Sequence, residues 1–370
     1  MKAPEIARRR IRNSRLTGDG FESADEAVRW HLAMQAQDYG PATWSIGQRS
    51  IGLDSGDLDE ALASGSIIRT HVLRPTWHFV ARDDTRWLLS LSGPRVQQGN
   101  AGRYRELGLD ERTRTRAQEV IVSALEDGNR LTRKELGAVL DDAGIDRSGQ
   151  RMPYILSHCE LEAVIGSGGL VGKQQTFALL DGRVPAAGPF DREDALVELV
   201  RRYLTSHGPA TVKDMSWWSG LTMTDLRKAL ERLGPSEVRT DTVDGLELWS
   251  VASDDPAPPP IRGAHLLQTY DELVVGYTES RFHGEPGAEK ARAAWGDRTY
   301  PSGLFLLNGR VGGHWRRTFE RDAIAVEVHF YEEPKRGHRS AVEAAVADLG
   351  RFFGRDVALE TKLLRGGAPR

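Results

Sequence analysis

The middle of the chain carries the same order of elements twice, and that repeat limits the available folds more than any single motif. In the first copy, a helix over residues 112–125 is followed by a second that Thr132-Arg133-Lys134-Glu135 opens. A third covers residues 148–162, and residues 169–180 read as a hairpin. In the second copy, helices are predicted over residues 195–205, 211–218 and 222–233, with Thr222 as an N-cap. A hairpin over residues 237–251 then turns at Asp244-Gly245, a pair suited to a type I′ turn. Helix, helix, helix, hairpin is the order of a winged helix, whose later helix pair is a helix-turn-helix.

The flanks read differently. Ser23 and Glu26 form a capping pair that opens a helix over residues 23–34. It runs into Gln35-Ala36-Gln37-Asp38-Tyr39, where Gly40-Pro41 reads as a breaker. A short helix over residues 57–64 precedes a β-rich stretch over residues 67–80, bent at Pro75. Asp83-Asp84 reads as the start of the next helix. Residues 254–260 (DDPAPPP) are the clearest linker. Beyond it, strands are expected over residues 265–268, 273–277, 303–307, 310–315 and 323–331, with a hairpin turn at Asn308-Gly309. A helix over residues 340–353 would cover this β-barrel-like region.

Composition narrows the class. The 370 residues are 39% hydrophobic and 28% charged, enough to bury a core and to form more than one domain. No apolar run reaches the roughly 20 residues that a spanning helix needs, and residues 1–16 lack the apolar stretch of a secretory signal. The single cysteine, Cys159, excludes an internal disulfide and a cysteine-rich zinc site and fits a reducing cytoplasm. On a predicted helix it reads as a small buried hydrophobe rather than a nucleophile. Lys and Arg number 50 against 53 Asp and Glu, a net charge of −3. That excludes a wholly basic nucleic-acid binder but leaves room for a local basic face. Residues 1–16 set Lys2, Arg8, Arg9, Arg10, Arg12 and Arg15 against Glu5 alone, either a solvated face or a strip facing phosphates.

Familiar catalytic motifs are missing. Residues 166–173 (GSGGLVGK) imitate a phosphate loop, but the glycine spacing is wrong and Gln174 stands where Ser or Thr would hold magnesium. They read as a flexible wing. No His pair has metal-binding spacing, and there is no nucleophile elbow.

Four segments in order carry a resemblance. They are Gln35-Ala36-Gln37-Asp38, then Leu73-Arg74-Pro75-Thr76-Trp77-His78-Phe79-Val80 with Asp83, then Tyr270-Asp271-Glu272 with Gly276-Tyr277, then residues 312–317 (GGHWRR). Together they resemble the AlkZ/YcaQ family of winged-helix DNA glycosylases over most of the chain. The resemblance implies an α+β fold of three tandem winged-helix units, at residues 1–95, 96–186 and 187–253, with a C-terminal β-rich region at 261–370. It implies excision of N7-alkylated purines by a Gln-x-Gln pair, here Gln35 and Gln37. That branch is similar to the self-resistance enzyme of azinomycin producers, which unhooks interstrand crosslinks. His78 and Asp271 are candidates for supporting the site, Asp271 equally as a cap. Arg8, Arg9, Arg12, His314, Trp315, Arg316 and Arg317 are candidates for DNA contact. Trp77, Phe79 and Val80 read as core. The implied partner is duplex DNA carrying N7-alkylpurines or crosslinks, bound by a monomer without metal or cofactor.

The chemistry permits two amides. Gln is neither a base nor an acid near neutral pH, but an N7-alkylated purine is already a cationic leaving group. What remains is to hold a water and stabilise an oxocarbenium-like transition state. An amide can accept from the water and donate elsewhere. Residues two apart share a side only in an extended segment, so the pair requires the helix to end near Met34. The rival reading is a non-catalytic winged-helix transcription regulator, which leaves the glutamine pair as ordinary amides at a helix end.

Overall fold

The computed structural model describes residues 1–172, 174–186, 188–281 and 303–364. After α1 (Ala3–Asn13), the order helix, short strand, helix, helix, hairpin begins. Its elements are α2 (Ala24–His31), β1 (Met34–Gln35), α3 (Tyr39–Gly47), α4 (Ser55–Ser64), β2 (Ile67–Val72) and β3 (Arg74–Ala81). The long α5 (Arg82–Glu106) leads to the same order again: α6 (Glu111–Leu125), β4 (Leu131–Thr132), α7 (Arg133–Asp142), α8 (Arg151–Leu161), β5 (Ile165–Val171) and β6 (Gln174–Leu179). Both sheets place the short strand beside the second hairpin strand, as β1-β3-β2 and β4-β6-β5. The third set has α9 (Arg192–His207), α10 (Val212–Ser219), α11 (Met223–Leu233), β7 (Val238–Val243) and β8 (Leu246–Val251). There a single bridge from Ala210 to Trp249 replaces the short strand.

The remainder is β9 (Ala264–Leu266), α12 (Glu272–Val275), β10 (Gly303–Leu307), β11 (Arg310–Phe319), β12 (Ala323–Phe330), α13 (Arg336–Phe353) and β13 (Asp356–Leu363). These strands form one curled half-barrel sheet, ordered β13-β12-β11-β10-β9. The fold is mixed α+β. Among the described residues no helix is long and apolar enough to cross a membrane.

Local chemistry explains the boundaries. Ser23, Thr132, Thr211 and Thr222 each accept from a backbone N–H three residues on, opening α2, α7, α10 and α11. Asp244-Gly245 and Asn308-Gly309 both take the two positive φ angles of a type I′ turn. Three expectations need correction. The first helix stops at His31, because Leu32 adopts φ 68° and turns the chain into β1. Gly40-Pro41 begins α3 instead of breaking the chain, since a first-turn proline gives up no intrahelical bond. The expected strand at residues 273–277 is the turn α12, which Asp271 caps. Helix α5 is continuous across positions 95 and 96.

Two cores position the site. One joins the first repeat to α13 and the half-barrel through Met34, Trp44, Phe79, Phe305, Trp315, Val328 and Phe352. The other joins Leu32, Ile68, Leu73 and Leu88 to Tyr203, Trp218 and Tyr277. The start of β1 therefore lies between the third repeat and the C-terminal region.

Candidate active site

β1 is two residues long, and it matters because of where it ends. Gln35 pairs with His78 of β3, and the next residue, Ala36, donates its N–H to the Trp77 carbonyl at 2.8 Å. The segment is extended, so residues 35 and 37 share a side. The Gln35 side chain is nearly buried, and its Oε1 accepts from the Gln37 N–H at 3.1 Å. Gln37 is exposed, and its Oε1 accepts from the Trp77 N–H at 3.4 Å. A backbone N–H only donates, so both amides are oriented with oxygen toward the chain and NH2 away from it. Each oxygen keeps a second lone pair. Arg69 clamps the following carbonyls, Ala36 at 2.9 Å and Gln37 at 3.3 Å, while its guanidinium lies 4.5 Å from the Trp77 ring centre.

Behind this pair sits a carboxylate that sequence reasoning passed over. Glu272 is 1% exposed. Its Oε1 accepts from the Gln35 N–H at 2.7 Å. Its Oε2 accepts from Trp218 Nε1 at 2.9 Å and His207 Nε2 at 3.2 Å. Burial pushes the Glu272 carboxyl up, but the bonds from His207 and the Gln35 amide outweigh it and hold it at about 2. His207 stacks flat on Tyr203 at 4.7 Å, and its carbonyl accepts from the Tyr277 hydroxyl at 2.6 Å. The Ser206 hydroxyl has one proton and two acceptors within reach, the Arg202 carbonyl at 2.9 Å and His207 Nδ1 at 2.8 Å.

His78 is fully buried. Its Nδ1 lies 3.0 Å from the Thr76 carbonyl, and its Nε2 has no partner among the described residues. Burial, with Arg74 nearby, holds the ring down at about 3, so it is neutral near pH 7. Asp271 faces away from the glutamines. Its carboxylate takes Arg49 Nη2 at 2.7 Å and Nη1 at 2.8 Å, Ser45 Oγ at 2.9 Å, and the Leu273 N–H at 3.0 Å. It is a helix cap and half of a fully buried ion pair. The one signal for Glu272 was its place: an acid just inside a helix that an Asp caps. Reading the segment as a strand hid it.

The other candidate residues scatter. On α1, Arg12 is exposed, Arg8 is half-buried, and Arg9 is bound to Glu5 at 2.7 Å. Arg10 is interior, donating to Pro209 and Ser280 carbonyls at 2.9 Å. Arg316 is exposed and paired with Glu327 at 2.9 Å. Arg317 packs against Phe353 and Phe319, at 4.9 and 5.2 Å from the ring centres, and burial brings it down to about 10. Trp315 is corrected from DNA contact to core: it is buried and its Nε1 donates to the Leu267 carbonyl at 2.7 Å. His314 is likewise interior, stacked on His329 at 4.7 Å. Cys159 is buried, and burial pushes its thiol up to about 12. Asp84 is bound by Arg202 at 2.6 Å, and Asp83 by Arg29 at 3.2 Å. Residues 166–171 lie within β5, and Lys173 lies outside the described residues.

Comparison with known proteins bears on the same region. A family model described as DNA glycosylase AlkZ-like matches residues 28–352. The interstrand DNA cross-link repair glycosylase of Streptomyces sahachiroi is 25% identical over 352 residues, 90% of this chain and 91% of that protein. The solved structure of the Streptomyces sahachiroi DNA glycosylase AlkZ has a TM-score of 0.80 at 21% identity, covering 98% of this chain and all of that one. The structural likeness concerns the fold.

Proposed function

We propose, on the premise that this chain belongs to the AlkZ-like family of DNA glycosylases, that it hydrolyses the N-glycosidic bond of N7-alkylated purines in duplex DNA. Gln35 and Gln37 would hold the attacking water. One observation carries this reading: residues 35 and 37 share a side of an extended segment, and each amide oxygen accepts from a backbone N–H. The orientation is set before substrate arrives, and preorganised dipoles are what an oxocarbenium-like transition state requires. Neither His78 nor Glu272 supplies an acid at neutral pH. His78 is neutral with its Nδ1 against a carbonyl, and Glu272 is ionised. Such a site suits a leaving group that is already a cation.

The three repeats are read as winged-helix units, with helix-turn-helix pairs α3–α4, α7–α8 and α10–α11. The organisation follows as residues 1–95, 96–186, 187–253 and 261–370. Phosphate contacts are assigned to Arg8, Arg9 and Arg12 and to Arg316 and Arg317. Exposure of Gln37 favours an open site over a deep pocket, which a base tethered to the opposite strand would need. Unhooking of interstrand crosslinks, and with it self-resistance to a genotoxic natural product, is the reading we favour for the biological role. The relative from Streptomyces sahachiroi, named as a cross-link repair glycosylase, supports it.

The test is release of 7-methylguanine from methylated duplex DNA by the native protein and by a folded Gln35→Ala/Gln37→Ala variant. Release by the native protein alone is expected. Equal release by both would remove the pair from the chemistry. No release from either methylated or crosslinked duplex would remove the activity.

A further inference from the structure

We propose that Glu272 is a positioning residue for the glutamine pair, acting through the Gln35 peptide and never touching DNA. The inference rests on the reading of Gln35 and Gln37 as the water-holding groups. It starts from a cost. A carboxylate that is 1% exposed has lost its hydration, and an apolar side chain of similar size would serve stability as well or better. A carboxylate nonetheless stands there, and its hydrogen-bond partners among the described residues are donors from three separate parts of the chain: Gln35 N–H, Trp218 Nε1 and His207 Nε2.

The geometry of the bond to Gln35 gives the reason. Residue 35 follows a backbone reversal at Leu32 and belongs to a strand of two residues, too short to hold its own register. Strand pairing with β3 fixes one edge of β1, through His78 and Trp77. The Gln35 N–H is taken by Glu272 instead, at 2.7 Å, a charge-assisted bond. Two residues on, Arg69 holds the Gln37 carbonyl at 3.3 Å. A buried anion at one end and a cation at the other thus bracket the segment whose two side chains must stay in register. Trp218 and His207 hold the anion in turn. Trp218 is fully buried against Tyr203, at 5.1 Å between ring centres, so the third repeat supports a site on the first.

The carboxylate is not placed to react. Both oxygens are occupied by protein donors, Oε1 by the Gln35 peptide and Oε2 by Trp218 and His207, and the side chain is buried. Its loss should therefore be felt in the chemical step and not in DNA binding.

The experiment compares wild type, Glu272→Gln and Trp218→Phe for duplex Kd, single-turnover release of 7-methylguanine, and exchange of the Gln35 amide proton by NMR. Glu272→Gln should keep Kd within about twofold and lower the rate by about 100-fold, the cost of a small misplacement of reacting groups. Trp218→Phe, which removes one donor to Glu272, should lower the rate by about tenfold at unchanged Kd. Faster Gln35 amide exchange should accompany both. A purely structural role would lower Tm yet leave the rate per folded molecule unchanged, and that result overturns the proposal. If Glu272→Gln does not fold, Trp218→Phe decides alone by the same criterion. Wild-type release with unaffected variants sinks the inference and spares the function. A wild type that releases no base from methylated or crosslinked duplex sinks both.

Discussion

Replacing Asp271 by Asn should unfold this protein more readily than any surface change. The Arg49 and Asp271 side chains are both fully buried, and they form a bidentate pair at 2.7 and 2.8 Å. Removing one member of such a pair typically costs about 3–5 kcal/mol, since the other charge stays buried without compensation. The two single variants should differ. After Arg49→Met, Asp271 still accepts from Ser45 Oγ at 2.9 Å, Gln48 Nε2 at 3.3 Å and the Leu273 N–H at 3.0 Å. After Asp271→Asn, Arg49 keeps the Ser14 and Ser45 carbonyls, each at 2.8 Å, and one neutral amide oxygen, but has no counter-charge, and a guanidinium cannot shed its charge. Asp271→Asn should therefore sit at the upper end of the range and Arg49→Met at the lower. Asn is itself a good N-cap, so the cap of α12 is not what the substitution removes. In thermal unfolding, the loss corresponds to a fall on the order of 10 °C for a cooperative unit of this size. The double variant Arg49→Met/Asp271→Leu should recover part of it, because no lone charge is left behind. A Tm within about 2 °C of wild type for Asp271→Asn, or additive losses in the double variant, would refute this account of the pair.

Two further outcomes follow from charge. His31 and His78 are held at about 3 by burial, against 6.5 when unfolded, and Glu272 at about 2 against 4.5. Below pH 6.5 the unfolded chain takes up protons that the native histidines refuse, so stability falls with falling pH. At pH 5 each histidine accounts for about 2 kcal/mol, with Glu272 adding to the loss below 4.5. Urea unfolding midpoints from pH 7 to 5 check this; a level midpoint, or the same slope in His78→Phe, contradicts it. On the hairpin, Arg316→Glu should weaken duplex binding and lower the salt slope by about one. Unchanged affinity at low salt would take β11 off the DNA face.

How much of this was legible depends on range. Caps and turns were readable because their physics is local: the helix opening at Thr132, the Thr222 cap, and the turns at Asp244-Gly245 and Asn308-Gly309 stand as the sequence suggested. The helix order of two repeats followed from them. The first repeat was hidden because β1 is two residues long and α3 opens with Gly40-Pro41, a pair that marks a break almost everywhere else. At the site, the motif gave Gln35 and Gln37, and the extended spacing gave the condition they had to meet. It did not give Glu272, which reaches Gln35 across 237 residues of sequence. Nor could it tell that Trp315 points inward, since strand alternation needs a register and the register of β11 is set by β12 and β10.

The proton inventory at the pair leads to one last expectation. Release of a neutral base such as uracil requires charge on the departing ring to be neutralised, by a proton or by donors aimed at it. Of the side chains that neighbour the glutamines, His78 is neutral near pH 7 with a fully buried Nε2 that has no partner among the described residues, and Glu272 is ionised and enclosed. Tyr39, whose hydroxyl donates to Asp59 at 2.6 Å, is pushed above its ordinary range by burial and that carboxylate. None of these three changes its protonation state between pH 6 and 9, and the Tyr39 proton is committed to Asp59. A cationic 7-methylguanine needs none, because breaking its bond neutralises it. Release of 7-methylguanine should therefore be level over that range, while uracil in the same duplex context should stay in place. Uracil release at a comparable rate, or a rate that falls with a single ionisation near neutrality, would mean that a general acid acts at this site and that the glutamine pair is not the whole of its chemistry.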